Sequence, residues 1–217
     1  MLQRLLAEFL GTGLIVATVI GAGFMTANLS AEPALALAMI AVAAASVLFV
    51  AITIFGPVSG SHFNPVVTFG LLMRGRVSPS EAIFYIFAQC AGGISGALMA
   101  GAMFQADFAM STISRHNPGS FFGEVVATAG LVLLVLLLVE QNRGQFVAGG
   151  VALWILAGHL FTSSTSFANP AVTLGRVFSF SPSSISFESA IWFSLAQVIG
   201  LAVALVILFL LQGKVRK

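Results

Sequence analysis

Two stretches of this chain repeat one pattern: Asn64-Pro65-Val66-Val67-Thr68-Phe69-Gly70 and Asn169-Pro170-Ala171-Val172-Thr173-Leu174-Gly175 both read Asn-Pro-x-Val-Thr-x-Gly. Asn is a strong N-cap, and Pro suits the first helical position because the N–H it lacks would have no partner there. Each motif therefore predicts a helix start. The helices that follow are short, reaching Met73 in the first copy and Phe178 in the second. At about 1.5 Å per residue, ten residues span roughly 15 Å, half the hydrocarbon thickness of a bilayer.

Half-length helices matter here because the chain is far more apolar than a soluble domain. It is 59% hydrophobic and 7% charged, with a mean hydropathy of +1.06, which reads as an integral membrane protein. Apolar runs long enough to cross a bilayer fall near 5–26, 34–56, 81–104, 121–139, 145–163 and 188–212, and the half-helices near 64–73 and 169–178. The fold class predicted is all-α: six transmembrane helices plus two re-entrant half-helices. Irregular backbone at membrane depth survives only where protein buries it or water wets it, so a wet path is implied. The net charge of +2 reflects a few basic residues beside the membrane and gives no footprint for nucleic acid. Residues 1–25 read as a retained span and not as a leader, because Glu8 interrupts the apolar run and no clear cleavage site follows. Cys90, the single cysteine, reads as a small buried hydrophobe.

The repeat extends beyond the two motifs. Ala7-Glu8-Phe9-Leu10-Gly11-Thr12 is echoed by Gly123-Glu124-Val125-Val126-Ala127-Thr128, so the first and fourth spans each carry a Glu in an apolar setting. The chain reads as one transmembrane domain, 1–217, with repeat halves of about 1–105 and 120–217. Three spans per half is an odd number, so the halves insert in opposite orientations, a 3+3 inverted repeat in which the half-helix tips meet near the midplane. Both termini then lie on one side with Arg4, Arg74, Arg76, Arg143, Lys214, Arg216 and Lys217, against Arg115 and Arg176 on the other. The excess of basic residues predicts cytoplasmic termini in a plasma or inner membrane. Gly92 and Gly96 have the Gly-x-x-x-Gly spacing of close helix contacts.

An N-capping Asn accepts from the free N–H groups of its helix, here those of residues such as Val67 and Val172, and keeps its NH2 as a donor. Two half-helices starting at one depth aim two positive dipole ends at one spot, which welcomes neutral oxygen-bearing solutes and repels cations. Asn-Pro alone is weak evidence: Asn117-Pro118-Gly119 reads as a plain loop turn. No nucleotide loop, metal-ligand cluster or nucleophile–base set is recognisable, so the expectation is a passive channel with no cofactor, no metal and no enzymatic activity. A coupled transporter would need titratable groups near the midplane, and the candidates reduce to Glu8, Glu124 and His159.

With these features the chain resembles the aquaporin and aquaglyceroporin family of major intrinsic proteins, along its whole length. The Ser59-Gly60-Ser61-His62-Phe63-Asn64-Pro65 stretch and Asn169-Pro170-Ala171 carry the likeness. The resemblance implies homotetramers with one pore per subunit, motif residues Asn64, Pro65, Val66, Asn169, Pro170 and Ala171 at the pore centre, and Glu8 and Glu124 accepting hydrogen bonds from the re-entrant loops. His62 is expected to brace its loop, and His116 to be a solvated loop residue. Two departures stand out. Val66 replaces the usual Ala, and Val172 occupies the position where most relatives carry an Arg that projects into the narrowest part of the pore. Carried over by spacing, the remaining filter positions are Ala44, Ser166 and, on the fifth span, either His159, from the Gly158-His159-Leu160 match, or Ala157, from strict counting. Ala44, His159, Ser166 and Val172 make a wide filter. This resembles the bacterial aquaglyceroporins that lack the filter Arg and are associated with arsenic resistance. The solutes so implied are small and neutral: glycerol-like polyols, arsenous acid, methylated arsenicals and water.

Overall fold

Five of the seven prolines open helices. A fixed φ and a missing donor make Pro nearly free of penalty at that position and costly further in. The computed structural model describes residues 1–212; Lys214, Arg216 and Lys217 lie outside the described residues. The helices are α1 (Leu2–Asn28), α2 (Pro33–Ser59), α3 (Pro65–Met73), α4 (Pro79–Met103), α5 (Pro118–Glu140), α6 (Val147–Phe161, entered through a 3₁₀ turn at Gly144–Phe146), α7 (Pro170–Gly175) and α8 (Phe187–Gln212). Among the described residues, six helical segments are long and apolar enough to cross a membrane. The fold is all-helical, six spans and two half-helices.

Two differences from the sequence expectation have a local cause. The second half-helix ends at Gly175, three residues early, because its last turn tightens: Val177 N–H donates to Leu174 and Phe178 N–H to Gly175, both at 3.1 Å. Asn117-Pro118, expected to be a loop turn, instead starts α5. Asn117 accepts from Ser120 N–H at 2.9 Å, and the Ser120 hydroxyl accepts from Asn117 N–H at 3.0 Å. This reciprocal cap satisfies two orphan donors, and the long apolar run behind it overrides one Gly in the first turn.

The halves pack by the same rules. α1 lies on α4 and α5 on α8, while α3 packs against α8 and α7 against α4, so each half-helix is held by a span of the other half. Glycine permits these approaches. A Cβ at Gly96 would lie 2.2 Å from the Gly13 carbonyl oxygen, and one at Gly92 2.2 Å from that of Phe9, so α1 and α4 touch backbone to backbone. Outward faces carry large apolar side chains such as Phe87, Phe122, Leu153 and Phe209, as a lipid-facing surface requires.

Candidate functional site

The two motif asparagines meet across the repeat. Asn64 Nδ2 donates to the Ala168 carbonyl at 2.8 Å, and Asn169 Nδ2 donates to the Phe63 carbonyl at 2.8 Å. Each Asn also caps its own helix: Asn64 Oδ1 accepts from Val66 N–H at 3.0 Å, and Asn169 Oδ1 accepts from Ala171 at 3.0 Å and Val172 at 3.2 Å. In the first copy the capped donor is thus Val66 where Val67 was expected. One amide hydrogen of each Asn is engaged by the cross-bond, and one remains on each for the lumen.

Backbone geometry makes this crossing possible. Counting back from each Asn, the residues at the fourth, third and first places have positive φ: Gly60 (86°), Ser61 (52°) and Phe63 (49°) in one loop, Thr165 (62°), Ser166 (50°) and Ala168 (47°) in the other. Non-glycine residues in the left-handed region cost about 1–3 kcal/mol each and persist only where surroundings dictate them. Here a buried carboxylate dictates them. Glu8 accepts from His62 N–H (3.0 Å), Phe63 N–H (2.7 Å), Ser59 Oγ (2.6 Å) and Gln89 Nε2 (2.7 Å). Glu124 accepts from Phe167 N–H and Ala168 N–H, both at 2.8 Å, and from Gln197 Nε2 at 2.7 Å. Both carboxylates are fully buried.

The glutamines were missed in the sequence, although the signal was there: Gln89-Cys90-Ala91-Gly92 and Gln197-Val198-Ile199-Gly200 are one repeated Gln-x-x-Gly. Each also donates to the motif threonine, Gln89 to Thr68 (2.9 Å) and Gln197 to Thr173 (3.0 Å). Those hydroxyls donate in turn to the Asn64 and Asn169 carbonyls at 3.0 and 2.8 Å. Each half-helix tip is therefore tied to a span through Glu, Gln and Thr.

A cavity of about 570 Å³ runs past the Asn pair, from Gly144 and Val147 near the α6 start to Arg176 beyond α7. Its lining mixes apolar side chains, Ile15, Val19, Leu48, Ile52, Val135 and Ile155, with the polar His62, Asn64, His159 and Asn169. Ala44, His159, Ser166 and Val172 all line it. Ala157 does not; it is exposed on the outer face of α6. His159 Nδ1 lies 2.8 Å from the Ile155 carbonyl, which can only accept, so Nδ1 carries a hydrogen and Nε2 of the neutral ring is left as an acceptor. Ser166 belongs to the wall, but its Oγ packs against Gly158, buried without a partner. His62 Nδ1 is 3.1 Å from Thr68 Oγ1, and its ring lies edge-on to Tyr85. His116, expected in solvent, is half-buried: it lies 2.8 Å from Ser189 Oγ and stacks on Trp192. Arg176, counted in the sequence only as a basic residue on the side away from the termini, is buried in the cavity wall at 3% exposure.

Comparisons with known proteins agree in kind. A family model described as Major intrinsic protein matches residues 1–165. Aquaglyceroporin AqpS of Rhizobium meliloti (strain 1021) is 41% identical over 212 residues, 97% of this chain and 91% of that protein. Probable aquaporin TIP2-2 of Arabidopsis thaliana is 29% identical over 204 residues, 88% of this chain and 79% of that protein. The X-ray structure of the aquaglyceroporin from Plasmodium falciparum superposes with a TM-score of 0.72 over 94% of this chain and 93% of that one, at 22% identity, a likeness of fold.

Proposed function

The chain belongs to the major intrinsic protein family, and from that premise we propose that it is a passive channel whose widened constriction admits glycerol-like polyols and arsenous acid besides water. Members of the family are channels and not enzymes, and this chain is a multi-pass membrane protein of that kind. The observation that carries the solute reading is Val172, in the first turn of α7, sharing a cavity wall with Ala44, His159 and Ser166. None of the four brings a charge or a bulky aliphatic or benzene ring to the lumen. A lining that is mostly apolar with a few amide and imidazole groups suits a solute that carries both C–H and hydroxyl groups. Arsenous acid and its methylated forms enter through the likeness to arsenic-associated relatives; the trihydroxylated acid matches glycerol in size and hydrogen-bonding capacity.

In this reading Asn64 and Asn169 orient the passing solute, Pro65, Val66, Pro170 and Ala171 hold the two helix starts, and Glu8, Glu124 and His62 brace the loops. The assembly is a homotetramer with a pore in each subunit, embedded in the plasma or inner membrane with cytoplasmic termini. Stopped-flow light scattering on proteoliposomes tests the solute range. Glycerol and arsenous acid fluxes well above those of protein-free vesicles, and linear in the solute gradient, are expected. Water flux alone would reduce the protein to an orthodox water channel, and saturating flux that follows a pH gradient would make it a coupled transporter.

A further inference from the structure

Val172 leaves the constriction without a fixed charge, yet the path is not without one. Arg176 stands one helical turn beyond Val172, its N–H donating to the Val172 carbonyl at 3.0 Å, and it lines the same cavity as Val172, His159 and Phe167. Residues four apart share a helix face, so the turn that presents Val172 also presents Arg176. The guanidinium is held in place. Its carbon lies 3.4 Å from the centroid of the Phe167 ring. Nε donates to the Ser183 carbonyl at 2.6 Å, and Nη2 donates to the same oxygen. Ser183 is itself fixed to α1, its Oγ donating to the Val19 carbonyl at 2.9 Å.

Among the described residues, no carboxylate pairs with the Arg176 guanidinium at contact distance, and Glu124 acts on it only through space. Glu124 is engaged by Phe167 N–H, Ala168 N–H and Gln197. The other basic residue nearby, Arg115, adds to the field from above the same Phe167 ring, 5.7 Å from its centroid.

We propose that Arg176 is the charge-selecting residue of this path, displaced by one turn from the constriction, so that solute size is set at Val172 and charge is set at Arg176. The inference rests on the cavity being the solute path. A fixed cation in a confined, weakly dielectric passage raises the energy of any cation entering it, wherever along the passage it stands. The separation lets the narrowest ring stay wide and uncharged while cations and protons are still turned away.

The test uses the full chain in proteoliposomes, with potassium and proton leak read by entrapped dyes and glycerol flux read in the same vesicles. In Arg176→Gln the ratio of cation leak to glycerol flux is expected to rise about tenfold or more, as removal of a charge barrier requires. Adding Val172→Arg to that variant should bring the potassium and proton leak itself back toward its original level, read apart from glycerol flux, which a residue that merely braces Ser183 would not allow. Arg176→Lys stands on its own should Arg176→Gln not reconstitute: it loses the fork on Ser183 but keeps the charge, so an unaltered ratio supports the proposal and a rise overturns it. A glycerol-conducting Arg176→Gln with the original ratio also overturns it. Absence of glycerol flux in the unaltered protein would instead overturn the channel reading beneath.

Discussion

At the scale of single residues, the chemistry turns on what stands just after the second Asn-Pro-Ala. Val172 is 5% exposed and lines the cavity, its backbone N–H bonded to Asn169. Arg at that position would add a long stem, five donors and a charge to a cavity that Ala44, His159 and Ser166 also line. Water passes a narrowed, polar ring more readily than a molecule of glycerol size. Val172→Arg is therefore expected to lower glycerol flux about tenfold or more while water flux falls by about threefold or less, since extra donors still hydrogen-bond water. Stopped-flow measurement of both solutes on one preparation checks this. If neither flux moves, Val172 does not form the narrowest ring.

At the scale of elements, three helices begin with the same two residues and do different jobs. Asn64, Asn117 and Asn169 each cap a helix whose next residue is Pro, but only Asn64 and Asn169 also donate across the repeat. Asn117→Ala is expected to lower stability by about 1 kcal/mol, the ordinary worth of an N-cap, and to leave flux untouched. Asn169→Ala should cost more, because the Phe63 carbonyl loses a donor and an unpaired buried polar group adds about 1–3 kcal/mol. Denaturant titration in detergent, with flux alongside, separates the two. Equal losses would mean that the cross-bond contributes nothing. The comparison also marks how far local sequence could be read. The pattern Asn-Pro-x-Val-Thr-x-Gly disclosed both half-helices and their facing tips because capping is a local event. The same local reasoning misjudged Asn117, where the decisive fact was the apolar span behind it. Gln89, Gln197 and Arg176 escaped notice for another reason: the repeated Gln-x-x-Gly marks the glutamines without saying what they bind, and their partners, Glu8 and Thr68, Glu124 and Thr173, Phe167 and Ser183, are brought to them only by the fold.

At the scale of the whole molecule, the two faces are unlike in charge, and the basic residues of each are engaged differently. On the face with the N-terminus, Arg4 pairs with Glu81 and Arg74 with Glu140, both at 2.5 Å. Basic residues orient a membrane protein by their number near short loops, with little help from nearby acids, so these pairs do not weaken the bias. On the opposite face, Arg115 and Arg176 are tied to loop carbonyls: Arg115 donates to Ser184 and Pro182 at 2.7 and 2.6 Å, and Arg176 to Ser183. Arg176 lines the cavity, and Arg115 stands over the Phe167 ring beside it. The expected orientation is thus α1 entering from the cytoplasm and the α4–α5 loop outside. Single cysteines placed at the exposed positions Asp107 and Gln141, with Cys90→Ala removing the native thiol, report it directly. An impermeant maleimide added to intact cells should label Asp107→Cys, and Gln141→Cys only after permeabilisation. The reverse pattern would place Arg176 at the cytoplasmic mouth, and charge would then be screened where solutes leave the cell and not where they enter.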